Sequence, residues 1–373
     1  MVPVSRSFVD IDLGAIAANV EALRKLAAPS ELCAVVKADG YGHGAEPVAR
    51  AALDAGATRL AVAQIGEGLA LRAAGLDAPI WVLSEPEPHE FRAAAEAGLE
   101  PAVYSPAGID AAAAGGALTV HLKIDTGMHR VGAAVADAVP LARRIEAAAW
   151  LTLGSVWTHL ACADADGEQD DDPASTTNRQ LDRYAEVLDS LDAGGIDVPL
   201  RHAANSAGAI AHPRSHFDVV RCGISLYGLP PSPGLEGRAP LRPALTWRTR
   251  VSFVKRLDAG DALSYGQRRA LTRPATVATI PVGYADGYRR GLWDRGGEVL
   301  IGGRRRQIVG VVTMDQTLVD CGDDPVAAGD EAVLIGTQGD ETISADDLAA
   351  ALETINYEIP VAIGQRVGRR YRR

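Results

Sequence analysis

The chain has 373 residues, 47% of them hydrophobic and 23% charged, and a formal net charge of −11 at pH 7. That length exceeds what one hydrophobic core usually organises, so two domains are expected. The acidic balance argues against nucleic acid as a partner. No apolar run reaches membrane-spanning length, and Met1-Val2-Pro3-Val4-Ser5-Arg6 carries no export pattern, so a cytoplasmic protein is expected.

In chain order, a helix is expected over Leu13–Ala27. Strands follow at Leu32–Val36, Leu60–Ala63, Ile80–Leu83, Pro101–Val103, Leu118–Ile124, Leu153–Thr158, Leu200–Ala204 and Asp218–Arg221. Between them lie alanine-, leucine- and charge-rich helical stretches: Glu46–Ala55, Gly66–Ala74, Pro88–Ala97, Ala134–Ala148 and Thr176–Asp192. Strands that alternate with helices in this way predict an α/β fold, an N-terminal (β/α)8 TIM-type barrel. Such barrels place their chemistry at the C-terminal ends of the strands, where Lys37, Asp125, His159, Asn205 and Arg221 fall. After Leu229 the texture changes. Pro230–Gly234 reads as a linker, and Thr246–Val254, Ala275–Val282, Glu298–Ile301, Ile308–Val312 and Ala332–Ile335 predict a mostly-β domain with one helix near Ala345–Glu353, capped by Ser344. The expected division is 1–235 and 236–373. The acidic stretch Asp164–Asp172 and the basic tail Arg366–Arg373 read as solvated surface. Cys33, Cys162, Cys222 and Cys321 form no CxxC pair, so neither a metal knuckle nor a disulfide framework is expected, and no metal.

Lys37 closes an apolar strand and opens Ala38-Asp39-Gly40-Tyr41-Gly42-His43-Gly44. A cation there is costly unless it reacts, and lysine is the side chain that forms Schiff bases with carbonyl compounds. A lone strand-end lysine is more often an exposed surface residue, and the motifs that follow it overturn that reading. They are His202-Ala203-Ala204-Asn205-Ser206, Arg221-Cys222-Gly223-Ile224, Ser264-Tyr265-Gly266, Gly283-Tyr284-Ala285-Asp286-Gly287-Tyr288, Met314-Asp315-Gln316 and Ile355-Asn356-Tyr357-Glu358. Together and in this order, the seven closely resemble the alanine racemases, pyridoxal phosphate (PLP) enzymes, from about Phe8 to the C-terminus.

The resemblance implies that Lys37 holds PLP, with Tyr41, Asn205, Ser206, the amides of Gly223 and Ile224, and Tyr357 around its phosphate. It places Arg221 at the pyridine nitrogen, and Lys37 and Tyr265 as bases on opposite faces of the substrate, with His159 and Arg221 supporting Tyr265. Tyr265 would reach the partner subunit's site, making the active unit a homodimer. The substrate carboxylate falls to Arg130 and the Met314 amide. Lys123 matches a lysine that the family can carry carbamylated, and Asp164, Tyr284 and residue 311 match the substrate entrance. Two departures stand out. His129 replaces a usual glycine, and Val311 replaces a common arginine, which implies a less polar or more open entrance. A racemase of broader range is the nearest rival reading. Barrel-type PLP decarboxylases would carry a cysteine motif where this chain has Tyr265, and single-domain PLP-binding proteins lack the β domain altogether.

Overall fold

The computed structural model describes residues 6–165 and 174–373, so residues 1–5 and most of the expected acidic stretch Asp164–Asp172 lie outside the described residues. The chain divides into two compact units, Gly14–Pro243 and a second built from Ala244–Arg373 together with the N-terminal strand. The division therefore falls eight residues after the expected 235, and Ser7–Asp12, expected in the barrel domain, belongs to the C-terminal unit. Its physical reason is pairing. Ser7–Asp12 runs antiparallel to Leu245–Arg250 and parallel to Gly368–Arg372, which ties both chain ends into one sheet.

In the first unit, eight parallel strands run in spatial order 201–202, 151–157, 118–123, 100–103, 80–82, 59–62, 31–35 and 219–222. Closure between the outermost two rests on Asp218 N–H donating to Arg201 O and Arg221 N–H donating to Ala204 O, both at 3.0 Å. All eight expected strands are present, within two residues at most ends. The side chains alternate. In Leu118–Lys123, Leu118, Val120 and Leu122 are buried apolar residues, while His121 and Lys123, also buried, reach polar and aromatic groups on neighbouring strands. Helix Leu13–Ala27 is as expected, with Ile16, Val20 and Leu23 buried on one stripe. Helix Pro106–Gly115 is absent from the expectations, because glycines inside and at its end mask a run with proline at the first turn and Ser105 as its cap.

The second unit holds a seven-stranded sheet, a three-stranded sheet and a short hairpin. Three expectations are corrected here. Thr246–Val254 is two strands, Leu245–Arg250 in the larger sheet and Phe253–Leu257 in the smaller. Ile308–Val312 is not a strand: Ile308 makes one bridge to Val319, and Gly310 at φ 71° turns the chain. The hairpin partner of Glu298–Ile301 is instead Arg304–Gln307, whose three arginines hide it. The basic tail, read as surface, forms strand Gly368–Arg372; its arginines are mostly exposed, but its backbone is the sheet's edge. Helix Ala345–Leu352 has the expected cap, with Ser344 and Asp347 bonding reciprocally.

Candidate active site

Lys37 follows strand Glu31–Val35 and enters a left-handed turn: Ala38, Asp39, Gly40 and Tyr41 have φ of 52°, 51°, 60° and 51°. Three of these are not glycine, each costing about 1–2 kcal/mol. The turn is held by Glu67, which accepts from Ala38 N at 2.6 Å, and by Asp39, which accepts from Ala45 N at 2.9 Å. Strain of this kind persists only where the surroundings enforce it, and it clusters at working sites. The Lys37 amine is pulled below the usual lysine range, first by burial and then by Arg130. That favours the neutral, nucleophilic form.

Lys123 lies 4.8 Å above the Trp157 ring, and Arg221 is 4.7 Å from the same ring. Burial, then the charges of Arg130 and Arg221, lowers the Lys123 amine to about 8. Lys37, Lys123, Arg130 and Arg221 thus influence one another, opposed by Asp125 and Glu67. A cluster so enriched in cations suits a ligand with more than one anionic group.

Arg221 is 3% exposed and held by four partners. It contacts His202 Nδ1 at 2.7 Å and His159 Nδ1 at 3.1 Å, and donates to the Thr158 and Ala203 carbonyls at 3.0 and 3.1 Å. Burial lowers its guanidinium to about 10, still charged at pH 7. Because arginine only donates, both histidines accept at Nδ1 and carry their proton at Nε2. Burial and Arg221 push His159 and His202 well below the usual histidine range, so both are neutral.

At the last strands, the Gly223 amide donates to Ser206 Oγ at 2.8 Å, leaving the Ser206 proton to donate elsewhere. The Tyr41 hydroxyl is pushed up to about 12 by burial and remains a donor. A Cβ on Gly223 would fall 2.5 Å from that hydroxyl. Asn205 uses its side chain to cap Ser206–Ala211, accepting from Gly208 N at 2.9 Å, so its contribution is to place Ser206. Ile224 begins the turn after Gly223 and is buried. A hydroxyl, a phenol and a glycine cradle near one strand end, with a lysine of lowered basicity at a neighbouring strand end, fit a phosphorylated aldehyde. Gly223→Ala is expected to displace Tyr41 at an overpacking cost of about 1–3 kcal/mol, weakening binding of an added phosphorylated aldehyde about tenfold or more, as a fluorescence titration would measure.

Within the C-terminal unit, Tyr265 is 74% exposed. It stands on a turn with Ser264, Gly266 and Gln267 all at positive φ, pinned by the Ser264 hydroxyl donating to Val311 O at 2.7 Å. Val311 is 2% exposed, so its side chain packs inside the unit and its carbonyl fixes the Tyr265 turn. Met314 and Tyr284 are exposed and lie on facing segments, with Tyr284 N donating to Thr313 O and Ala285 N to Met314 O. A Cβ on Gly283 would strike the Thr313 carbonyl, so only glycine permits that approach. Tyr357 is half-buried before helix Glu358–Val361.

In the barrel unit, Asp164 is half-buried and Arg130 is exposed. His129 adopts φ 54°, which explains the glycine usual at this position; its exposed ring lies 3.6 Å from Asp125, whose carboxylate also accepts from the Gly127, Met128 and His129 amides. Sequence reasoning places His202 in a motif without giving it a task, and misses Trp157, Glu67 and the barrel-interior residues Glu100, His121 and Ser155. Their signal is the alternation of polar with apolar residues in strands such as Leu118-Thr119-Val120-His121-Leu122-Lys123.

Comparison with known proteins agrees across the whole chain. The family described as "Alanine racemase, N-terminal domain" matches residues 11–231, and "Alanine racemase, C-terminal domain" matches 244–371. The chain is 46% identical over 371 residues to an alanine racemase of Symbiobacterium thermophilum, covering 98% of this chain and 97% of the relative. Its structure is similar to that of alanine racemase from D-cycloserine-producing Streptomyces lavendulae, with a TM-score of 0.92 and 39% identity over 99% of this chain and 97% of the other. It is also similar to a histidine racemase of Leuconostoc mesenteroides, with a TM-score of 0.89 and 30% identity, covering 100% and 99%.

Proposed function

This chain belongs to the alanine racemase family, an isomerase family, and we propose that it interconverts L- and D-alanine with PLP by a two-base mechanism in which each site is completed by a second copy of the chain. When bound, PLP supplies the electron sink that makes the substrate α-proton removable. Lys37 would hold it, Tyr41, Ser206, Gly223, Ile224 and Tyr357 would surround its phosphate, and Arg221 would face its ring nitrogen. Arg221 can donate there but does not readily surrender a proton, which keeps the ring nitrogen largely unprotonated and disfavours side reactions that drain the cofactor.

Arg130 and the Met314 amide would orient the substrate carboxylate, the guanidinium fork suiting its two oxygens. Lys37, its basicity lowered by burial, would take or return the α-proton on one face. Tyr265 does so on the other, and a tyrosinate needs donors beside it. His159 qualifies, because Arg221 occupies Nδ1 and leaves the Nε2 proton to donate. The observation that carries the two-base reading is Tyr265 itself: an exposed phenol presented by a strained, pinned turn. Supply of D-alanine for peptidoglycan precursors in the cytoplasm is the role this activity fits. Incubating the PLP-loaded protein with L-alanine, L-serine and L-histidine separately, and following each D-enantiomer by chiral chromatography, tests the reading. Rapid D-alanine is expected. Preferential turnover of serine or histidine would favour the broader reading, for which the Val311 departure and the likeness to a histidine racemase speak.

The Lys123 environment supports carbamylation. A neutral amine attacks CO2, forms the N–C bond and loses a proton, giving an anion that pairs with Arg130. Since the amine is protonated below about pH 8, the carbamate is expected to rise as pH climbs through that value. Carbon-13 NMR with labelled bicarbonate should show the carbamate signal growing from pH 7 to pH 9 and absent in Lys123→Ala; its absence from the wild-type protein at pH 9 would refute the assignment.

A further inference from the structure

One hydrogen-bonded line runs through the barrel interior from Arg221. Its Nη1 meets His202 Nδ1 at 2.7 Å, His202 Nε2 meets Ser155 Oγ at 2.9 Å, Ser155 Oγ meets His121 Nδ1 at 2.7 Å, and His121 Nε2 meets Glu100 Oε2 at 3.0 Å. The Glu100 oxygen also accepts from Trp81 Nε1 at 3.0 Å. His202, Ser155 and His121 are 1%, 0% and 4% exposed. Apolar side chains are the usual filling of such a barrel. A buried polar line is costly unless every member is satisfied, and this one is.

Only one proton arrangement works. Arg221 cannot accept, so His202 accepts at Nδ1 and donates from Nε2 to Ser155. The single serine proton must then go to His121 Nδ1, which leaves His121 to donate from Nε2 to the carboxylate. Every donor points from the guanidinium toward Glu100, an acceptor at the far end that cannot reverse the line while ionised. Reversal would place a second donor against Arg221. The Trp81 and His202 rings stack at 4.4 Å, and the Trp157 and His202 rings at 5.5 Å, which holds the imidazole in plane with the guanidinium's reach.

We propose that Glu100, His121 and Ser155 are positioning residues for the reaction, anchoring the His202 ring from its Nε2 side and through it the orientation of Arg221. The proposal rests on the reading of Arg221 as the group facing the cofactor ring, but its line of bonds can be tested without turnover. In the wild-type holoenzyme, nitrogen-15 NMR of histidine side chains should find His121 and His202 both neutral and protonated at Nε2, with Ser155→Ala, which removes the acceptor of that proton, shifting the His202 Nε2 resonance. Glu100→Ala should lower kcat on the order of tenfold, as removal of outer partners of a working histidine does, with KM within about twofold. Glu100→Gln, whose amide oxygen can accept from both Trp81 and His121, should recover most of it. Thermal midpoints and the cofactor absorbance band serve as controls for folding. A His202 protonated at Nδ1 in the wild type, unchanged kcat in Glu100→Ala, or equal losses in the alanine and glutamine variants would each overturn the proposal. Should Glu100→Ala fail to fold, the wild-type tautomers and Ser155→Ala still decide. A wild-type protein with the expected tautomers but no racemisation would instead refute the functional reading and leave the line intact.

Discussion

Equal amounts of Lys37→Ala and Tyr265→Phe chains, mixed under conditions that exchange subunits, are expected to regain about a quarter of wild-type racemase activity, although neither variant alone turns over alanine. The figure follows from random assortment: about half the dimers are mixed, and each holds one site with both bases and one with neither. If Lys37 and Tyr265 of the same chain formed each site, mixing would restore nothing. The measurement is D-alanine formation against mixing ratio, with mixed dimers verified by differently tagged chains. Verified heterodimers without activity would remove the shared-site assignment. The geometry behind the expectation is specific. Tyr265 stands 74% exposed, and three residues of its turn adopt positive φ to hold it there. A large aromatic side chain held out to solvent on a strained support gives a monomer no packing in return, and it suits a group meant to enter another chain.

Much of the barrel was legible because its strands are apolar runs punctuated by alanine-rich helices. What the sequence hid is where identity and environment part. His121 looks like an ordinary polar residue in Leu118–Lys123, yet the pleat places it among buried groups, and only its contacts with Ser155 and Glu100 show what it joins. In the segment after Lys37 the left-handed turn is carried as much by Ala38, Asp39 and Tyr41 as by glycine, a conformation that neighbours impose and local propensity opposes. The Arg304–Gln307 and Gly368–Arg372 strands were concealed by charge. Edge strands can expose arginines at little cost, so binary pattern says little about them. Val311 is a further case. Its identity bore on the entrance through the resemblance, whereas in the structure its carbonyl anchors Ser264 beside Tyr265, a role any residue's backbone could play.

Arg221→Lys keeps the charge and is nonetheless expected to lower kcat by about a hundredfold and cost about 2–4 kcal/mol of stability. The guanidinium fork meets two imidazole nitrogens and two carbonyls at 2.7–3.1 Å. An ammonium has three donors on a shorter, unforked end, so at least one buried acceptor loses its partner, and His202 and His159 lose the constraint that sets their tautomers. A second consequence separates this from simple loss of packing. An ammonium gives up a proton more readily than a guanidinium, so the Arg221→Lys variant would let the cofactor's ring nitrogen become protonated more often and would favour drainage into transamination. Pyruvate formed per D-alanine, measured with a lactate dehydrogenase coupling, should therefore rise in Arg221→Lys, while the thermal midpoint falls. A variant that lost stability and rate but kept the wild-type pyruvate ratio would show that Arg221 holds the barrel's interior together without controlling the ring nitrogen. An increased ratio would place that control in the guanidinium that His202, His159, Thr158 and Ala203 hold in position.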